Sequence, residues 1–297
     1  MSEFWLFVQQ TVNGLVLGSA YSLVAVGYTL VFGVLRILNM AHGEILMAGG
    51  FFGLLFATSM SLGLVPTLIV AALGAGLLGV LMERLAIRPL SKANHLAPLI
   101  TTIGVSTLLQ SLATRIFGPY RVPFPPVVDI SVVNLGPLFL TSINIMVFVV
   151  VIVLVIALKL LLERTDLGRA IRAKAENPEV ASFLGVNVDF INWFTVGLAS
   201  ALAGVAGVLL GLTFGVLSPH MGIPYGLKGL VTLIVGGMGS IQGAMVAGLL
   251  LGVTESLTVG YISSAYRDAV AFSVLIAVLL LRPSGLFGSK VQVENRV

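Results

Sequence analysis

The segment RILNMAHGEILMAGG, residues 36–50, places Arg36, Asn39, His42 and Glu44 within nine positions of a chain whose charged residues make up only 9%. Long apolar runs flank it, VAVGYTLVFGVL before and ILMAGGFFGLLFA after. Asn39 and His42 are three apart and share a helix face, whereas Glu44 points elsewhere unless the helix breaks. Gly43 permits such a break, and Glu44 would then occupy the first turn of the next helix, where the dipole favours a carboxylate. Two readings fit these residues. In one, a discontinuous segment lines a translocation path with its polar groups. In the other, the cluster is a turn at the membrane surface, where Arg36 and Asn39 are wet and Glu44 is a cap. The run 44–60 only just crosses a hydrocarbon core, which suits the second.

Further polar side chains stand within apolar stretches: Tyr21, Ser22, Thr101, Thr102 and Gln110. Each could face a polar solute or simply satisfy its own helix backbone. Tyr225 and Lys228 are expected at an outer mouth or as interface anchors. No residues for covalent or metal chemistry stand out. G-x-x-x-x-G-K-[ST], G-x-S-x-G and H-E-x-x-H are absent, as is any Cys/His metal spacing. His42, His95 and His220 lie far apart in sequence, and there is no cysteine. Glu44 reads as the one carboxylate close to a span's apolar body. A proton or sodium pump embeds several ionisable groups, so this scarcity argues against an ion-coupled secondary transporter. A passive channel would show a continuous polar stripe, which is not found.

The elements that must position these residues follow from the solvent. Of 297 residues, 58% are hydrophobic, and the mean hydropathy is +1.09. A soluble domain is about one quarter charged, so this composition requires an integral membrane protein. The net charge of +4 does not suggest nucleic acid. Apolar runs lie near 11–35, 44–60, 63–83, 96–117, 141–162, 190–217 and 266–281, and 224–260 is broken at GGMGS (236–240). The expected fold is all-α, a polytopic bundle of eight or nine spans, some discontinuous, because backbone groups in lipid must pair within their own segment.

Arg84, Arg88 and Lys92 fall in one loop, Arg164, Arg169, Arg172 and Lys174 in another, and Arg282, Lys290 and Arg296 in the tail. The positive-inside rule puts these inside, the loop 118–140 outside, and the N-terminus outside without a cleaved signal. Nine spans satisfy every loop. MAGGFFG (47–53) aligns with VAGLLLG (246–252), which suggests two weak internal repeats with Gly236, Gly237 and Gly239 as the break matching HGE. Ala199, Ala203, Gly207, Gly211 and Gly215 form a small-residue stripe, and Gly14/Gly18, Gly49/Gly53 and Gly248/Gly252 repeat the spacing. Such stripes bring helix backbones close in lipid.

Residues 163–190, ERTDLGRAIRAKAENPEVASFLGVNVDF, form a basic, water-facing segment. Asp166 is expected to cap a helix to Ala175. Asn177 and Pro178 then start a second turn, stopped by Gly185. Arg169, Arg172 and Lys174 should face water or a partner, with Ala181, Phe183 and Leu184 as an apolar knob. An amphipathic loop on lipid headgroups fits the spacing equally well.

LNMAHGEILMAGG, GRAIRAKAENPEVASFLGVN and GLKGLVTLIVGGMGSIQGAMVAGLLLG together resemble LivH-type permeases of bacterial branched-chain amino-acid ABC importers. The resemblance covers the whole chain, 1–297, as a single transmembrane permease domain in the bacterial inner membrane. It implies a non-enzymatic subunit that forms the path, with Asn39, His42, Glu44, Tyr21, Thr101 and Gln110 as candidates. The implied partners are a second, LivM-like permease, two ATPase subunits and a periplasmic binding protein delivering leucine, isoleucine or valine. No cofactor is expected on this chain, because ATP and Mg would sit on the ATPase subunits. Residues 163–190 resemble the EAA coupling loop, which assigns Arg169, Arg172, Glu176, Asn177, Ala181 and Gly185 to ATPase coupling. A literal Glu-Ala-Ala is absent. Relatives of this type also import urea and short amides, which leaves that substrate class as the alternative.

Overall fold

The computed structural model describes residues 3–60, 63–90, 96–129, 131–136 and 138–288. Lys92, His95, Lys290 and Arg296 lie outside the described residues. In chain order the helices are α1 (Glu3–Leu35), α2 (His42–Met60), α3 (Leu64–Met82, continued by a π turn at Glu83–Ile87), α4 (Ala97–Phe117), α5 (Ser142–Arg164), α6 (Asp166–Glu176), α7 (Pro178–Phe183), α8 (Val188–Phe214), α9 (Gly222–Gly236), α10 (Ile241–Tyr261) and α11 (Arg267–Leu281). Eight segments among the described residues are long and apolar enough to cross a membrane; α6, α7 and α9 are not among them. The chain is a multi-pass helical membrane protein.

α9 is the short segment that the Gly-rich break foreshadows. Its 15 residues span roughly 22 Å at 1.5 Å per residue, short of a ~30 Å core. The remaining depth is covered by non-helical chain from Gly215 to Met221, whose Val216–Leu217 pairs antiparallel with Val122–Pro123. Eight long helices plus this composite crossing fit the expected eight or nine spans.

Two residues of left-handed conformation create the interruptions. Arg36, at φ 58°, is the one non-glycine residue with positive φ among those described, and it stops α1. Gly215, at φ 69°, stops α8 in the same way. After each stop the chain runs without helix before a new N-terminus, at His42 for α2 and at Gly222 for α9.

These matching interruptions belong to a larger symmetry. α1 packs along α10 as α8 packs along α3, while α2 lies on α8 as α9 lies on α1. α1 ends and α8 begins at the same end of the bundle, because Leu35 at the end of α1 and Ile37 just beyond it line one pocket with Val188 and Asp189 at the start of α8. The two sets α1–α3 and α8–α10 therefore run oppositely, as in inverted transporter repeats. The alignment of 47–53 with 246–252 is accordingly out of step: it pairs α2 with α10, whereas packing pairs α2 with α9. The counterpart of the HGE break is Gly215–Met221, not Gly236–Gly239. Apolar Gly-rich helices resemble one another too readily for sequence to choose between them.

α1 and α8 form the centre. In their most apolar windows 89% and 83% of residues are buried, against 6% for the last span, so α11 is peripheral. Small residues permit the central contacts. Gly18 lies against Gly248 and Gly252, and a Cβ on Gly18 would sit 2.7 Å from the Gly248 carbonyl oxygen. Gly49 meets Gly204, and Gly207 meets Leu46 and Gly50. Ala199, Ala203, Gly207 and Gly211 of the stripe are buried within α8, while Gly215 lies just beyond its end. In lipid, close backbone approach supplies much of helix association, so replacing these glycines forces the helices apart.

Candidate functional site

The two interrupted helices meet at their N-termini. Gly43 in the first turn of α2 lies against Gly222 and Gly226 in the first turns of α9, with no room for a Cβ at either of the first two positions. A Cβ on Gly222 would overlap the Glu44 carboxylate, so that carboxylate rests on the start of α9 as well as within the first turn of α2. Both helix dipoles favour negative charge there. The His42 ring packs on Tyr28 of α1 with centroids 4.4 Å apart, and its Nε2 would lie 2.6 Å from a Cβ on Gly27.

The break itself is held by hydrogen bonds to its backbone N–H groups. Asn39 Oδ1 accepts from Ala41 N at 3.1 Å, and His42 N donates to the Asn39 carbonyl at 3.2 Å. Thr102 of α4 closes the turn from the side, its Oγ1 accepting from Met40 N at 3.2 Å. Asn39 therefore precedes the helix and does not share a helical face with His42.

Asn39, His42 and Glu44 are 2%, 0% and 1% exposed, so these three side chains are interior, whereas Arg36 at the start of the break is exposed. Asn39 Nδ2, both ring nitrogens of His42 and both carboxylate oxygens of Glu44 have no hydrogen-bond partner. Ser106 of α4 faces Glu44 and the Val24 carbonyl faces His42, neither with hydrogen-bond geometry. An unpaired buried polar group costs about 1–3 kcal/mol, and more when charged. A chain that retains three such side chains at one crossing holds a site whose polarity is unmet within the fold.

The other candidate residues divide. Thr101 donates to its own helix at Ala97 O, 2.8 Å, and Gln110 is half-buried on α4 two turns beyond Thr102. Tyr21 is 1% exposed and belongs to a separate polar group, donating to Glu255 Oε2 at 2.9 Å. Glu255, in the body of α10, is 0% exposed, which corrects the reading of Glu44 as the one carboxylate near a span's apolar body. Its position inside the apolar run GVTESL was legible. Gly222, Tyr28 and Ser106 were missed, because their proximity to Glu44 depends on tertiary pairing.

At the basic end, α6 and α7 form two short helices with a bend. Thr165 caps α6, its Oγ1 accepting from Gly168 N at 3.0 Å. Asp166 instead sits in the first turn, bonded to Arg169, so the cap lies one residue earlier than expected. Asn177 Oδ1 caps α7, accepting from Glu179 N at 3.0 Å and Val180 N at 3.1 Å. Gly185 at φ 85° ends it, with Val186 N bonding the Ala181 carbonyl at 3.0 Å. Arg169, Arg172 and Glu176 are exposed. Phe183 and Leu184 are 89% and 77% exposed while Ala181 is 1%, so the apolar knob is Phe183 and Leu184 with Ala181 facing inward. Lys174 is also turned inward, 6% exposed, and donates to the Val34 carbonyl. Burial pushes its ammonium down to about 8, with Glu83 opposing and Arg36 adding to the shift.

Residues 10–279 match the family described as branched-chain amino acid transport system / permease component. The chain is 39% identical to the high-affinity branched-chain amino acid transport system permease protein BraD of Pseudomonas aeruginosa, over 97% of this chain and 98% of that protein. It is 38% identical to the permease protein LivH of Escherichia coli, with the same coverage. In fold it is similar to a chain of PsaBC from Streptococcus pneumoniae solved with a Fab, at TM-score 0.53 and 15% identity, covering 97% of this chain and 95% of that one. The chain belongs to the family of branched-chain amino acid transport permease components.

Proposed function

We propose that this chain is the permease subunit of an ATP-driven importer of leucine, isoleucine and valine. It would work with a second, related permease, two ATPase subunits that carry ATP and Mg, and a periplasmic binding protein, in the bacterial inner membrane. High identity along the full length to BraD and LivH supports the substrate class and the division of labour.

The observation that carries a mechanism is the unpaired Glu44 carboxylate where α2 and α9 meet. We assign the translocation path to this junction, with Asn39, His42 and Glu44 as its polar contacts and Thr101 and Gln110 on the neighbouring α4. Tyr21 joins the path through the separate Glu255 group on α1 and α10. The ammonium group of a passing amino acid can supply the counter-charge that Glu44 lacks, whereas the branched side chain needs only apolar walls. Opening requires the Gly43–Gly222 contact to part, which two helices that each begin after a non-helical break allow more readily than two continuous ones. Arg169, Arg172, Glu176, Asn177, Ala181 and Gly185 carry the coupling segment that meets an ATPase.

The test is reconstitution of this chain with its partner subunits in proteoliposomes. Labelled leucine should accumulate only with ATP on the ATPase side and binding protein on the other, unaffected by excess urea. Uptake driven by an ion gradient without ATP, or blocked by urea in place of leucine, would overturn the proposal.

A further inference from the structure

A cavity of about 520 Å³ opens at the end of the bundle that carries the 118–140 loop, between that loop, the end of α8, the first turns of α9 and the start of α11. Its lining combines Arg121, Lys228, Arg267 and Asp268 with the rings of Phe214 and Tyr225. The volume lies within the ordinary range for small-molecule sites.

The charges at its base are unequal. Lys228 Nζ is spent on two carboxylates, Glu255 Oε1 at 2.9 Å and Asp268 Oδ1 at 3.0 Å, and Tyr21 binds the other oxygen of Glu255. Arg267 only approaches Glu255 Oε2, at 3.8 Å, and its Nε is buried without a hydrogen-bond partner. Arg121 forms no ion pair among the described residues and is exposed at the mouth. Three cations therefore face two carboxylates, and the two arginines are the groups with unused donors. A guanidinium presents a planar fork suited to a carboxylate.

The apolar wall is continuous with this base. Phe214 and Tyr225 have ring centroids 6.2 Å apart, and Tyr225 and Tyr21 6.1 Å. Asp268 is 65% exposed and shares only Lys228, so a second cation can reach it. The cavity thus presents a carboxylate receptor, an ammonium partner and an aromatic wall. Its floor includes Met221, whose chain neighbour Gly222 rests on Glu44 on the far side. The same turns of α9 serve both: Met221, Pro224 and Tyr225 line the cavity, while Gly222 and Gly226 lie against Glu44 and Gly43.

We infer that this cavity is a receiving site for a free zwitterionic amino acid with an apolar side chain, its carboxylate on Arg121 and Arg267 and its ammonium on Asp268. The inference deepens the importer reading and rests on it: the permease itself would hold substrate after release from the binding protein and before the α2–α9 junction parts.

The test is equilibrium binding of labelled leucine to the purified permease–ATPase complex in lipid nanodiscs, with no binding protein present. Saturable binding is expected. It should be displaced by isoleucine, much less by isoamylamine, which lacks the carboxylate, or by 4-methylpentanoate, which lacks the ammonium. Arg121→Gln, at an exposed loop position, should weaken binding at least tenfold without loss of assembled complex. Absence of saturable binding to the wild type, or undiminished binding to Arg121→Gln, overturns the receiving site. ATP-driven leucine uptake by the same wild-type complex with binding protein added separates the two claims. If uptake proceeds without such binding, only the receiving site fails; if uptake itself is absent, the importer reading fails with it.

Discussion

Lys174 donates through its ammonium to the carbonyl of Val34, the residue before the end of α1. Two positions on, Arg36 reaches back from the break to the Ala175 carbonyl at 3.1 Å. The last turn of α6 is therefore tied to the chain on both sides of the point where α1 stops. A push on α6 is delivered to residues 34–36, and the next helix to begin after them starts with His42, Gly43 and Glu44.

Lys174→Met should keep the chain inserted, because Leu35, Ile37 and Ile87 beside it can pack a buried thioether, yet loosen this link. Hydrogen bonds to charged groups contribute about 1.5–3 kcal/mol. Leucine transported per ATP hydrolysed should fall several-fold, while basal hydrolysis persists. An unchanged ratio in reconstituted vesicles would remove Lys174 from the coupling route.

The same side chain gives a pH signature. Burial holds its folded value at about 8, below the ordinary 10.5, so between these limits the folded chain binds fewer protons than the unfolded one. Stability of the wild type relative to Lys174→Met should therefore rise as pH increases from 8 towards 10.5, with the penalty for the buried ammonium fully present below 8. Thermal unfolding of both proteins at pH 7.5 and 9.5 measures it. A difference that stays constant or moves the other way contradicts the burial of a charged lysine.

Exposed positions on the coupling segment should act without touching the bundle. Arg172→Glu reverses a charge at a solvent-facing site, and Gly185→Leu forces a side chain into φ 85°, where an L-residue costs roughly 1–2 kcal/mol. Both variants should assemble poorly with the ATPase or lose substrate-stimulated hydrolysis. Normal stimulation in both would mean that residues 163–190 lie on lipid and not on a partner.

Much of this was readable from residue order, and the reasons for the rest are specific. The spans, the Asn177–Pro178 start and the Gly185 stop are local, because apolar length, capping groups and left-handed glycine act within a few residues. An interruption ahead of Glu44 was also legible, but it falls at residues 36–41, set by Arg36 at φ 58°, and Gly43 is already helical. The Gly14/Gly18 and Gly248/Gly252 spacings were visible as packing faces, but that they pack on each other was not. Lys174 looked like one more cytoplasmic cation; its inward turn depends on where α1 ends. Glu44 stood out by composition, whereas its seat on Gly222 required knowing that α9, and not α10, is the counterpart of α2.

The central claim is that the charge on Glu44 serves the passage of substrate. Glu44→Gln preserves shape and hydrogen-bonding capacity and removes the charge, so it separates electrostatics from packing. The measurement is uptake of labelled leucine by the complete complex at matched membrane levels of wild type and variant. If the carboxylate partners the substrate ammonium, uptake should fall at least tenfold with assembly intact. If Glu44 only complements helix dipoles, worth about 0.3–1 kcal/mol each, Glu44→Gln will transport at close to the wild-type rate, and that result would contradict the assignment of the path to the α2–α9 junction.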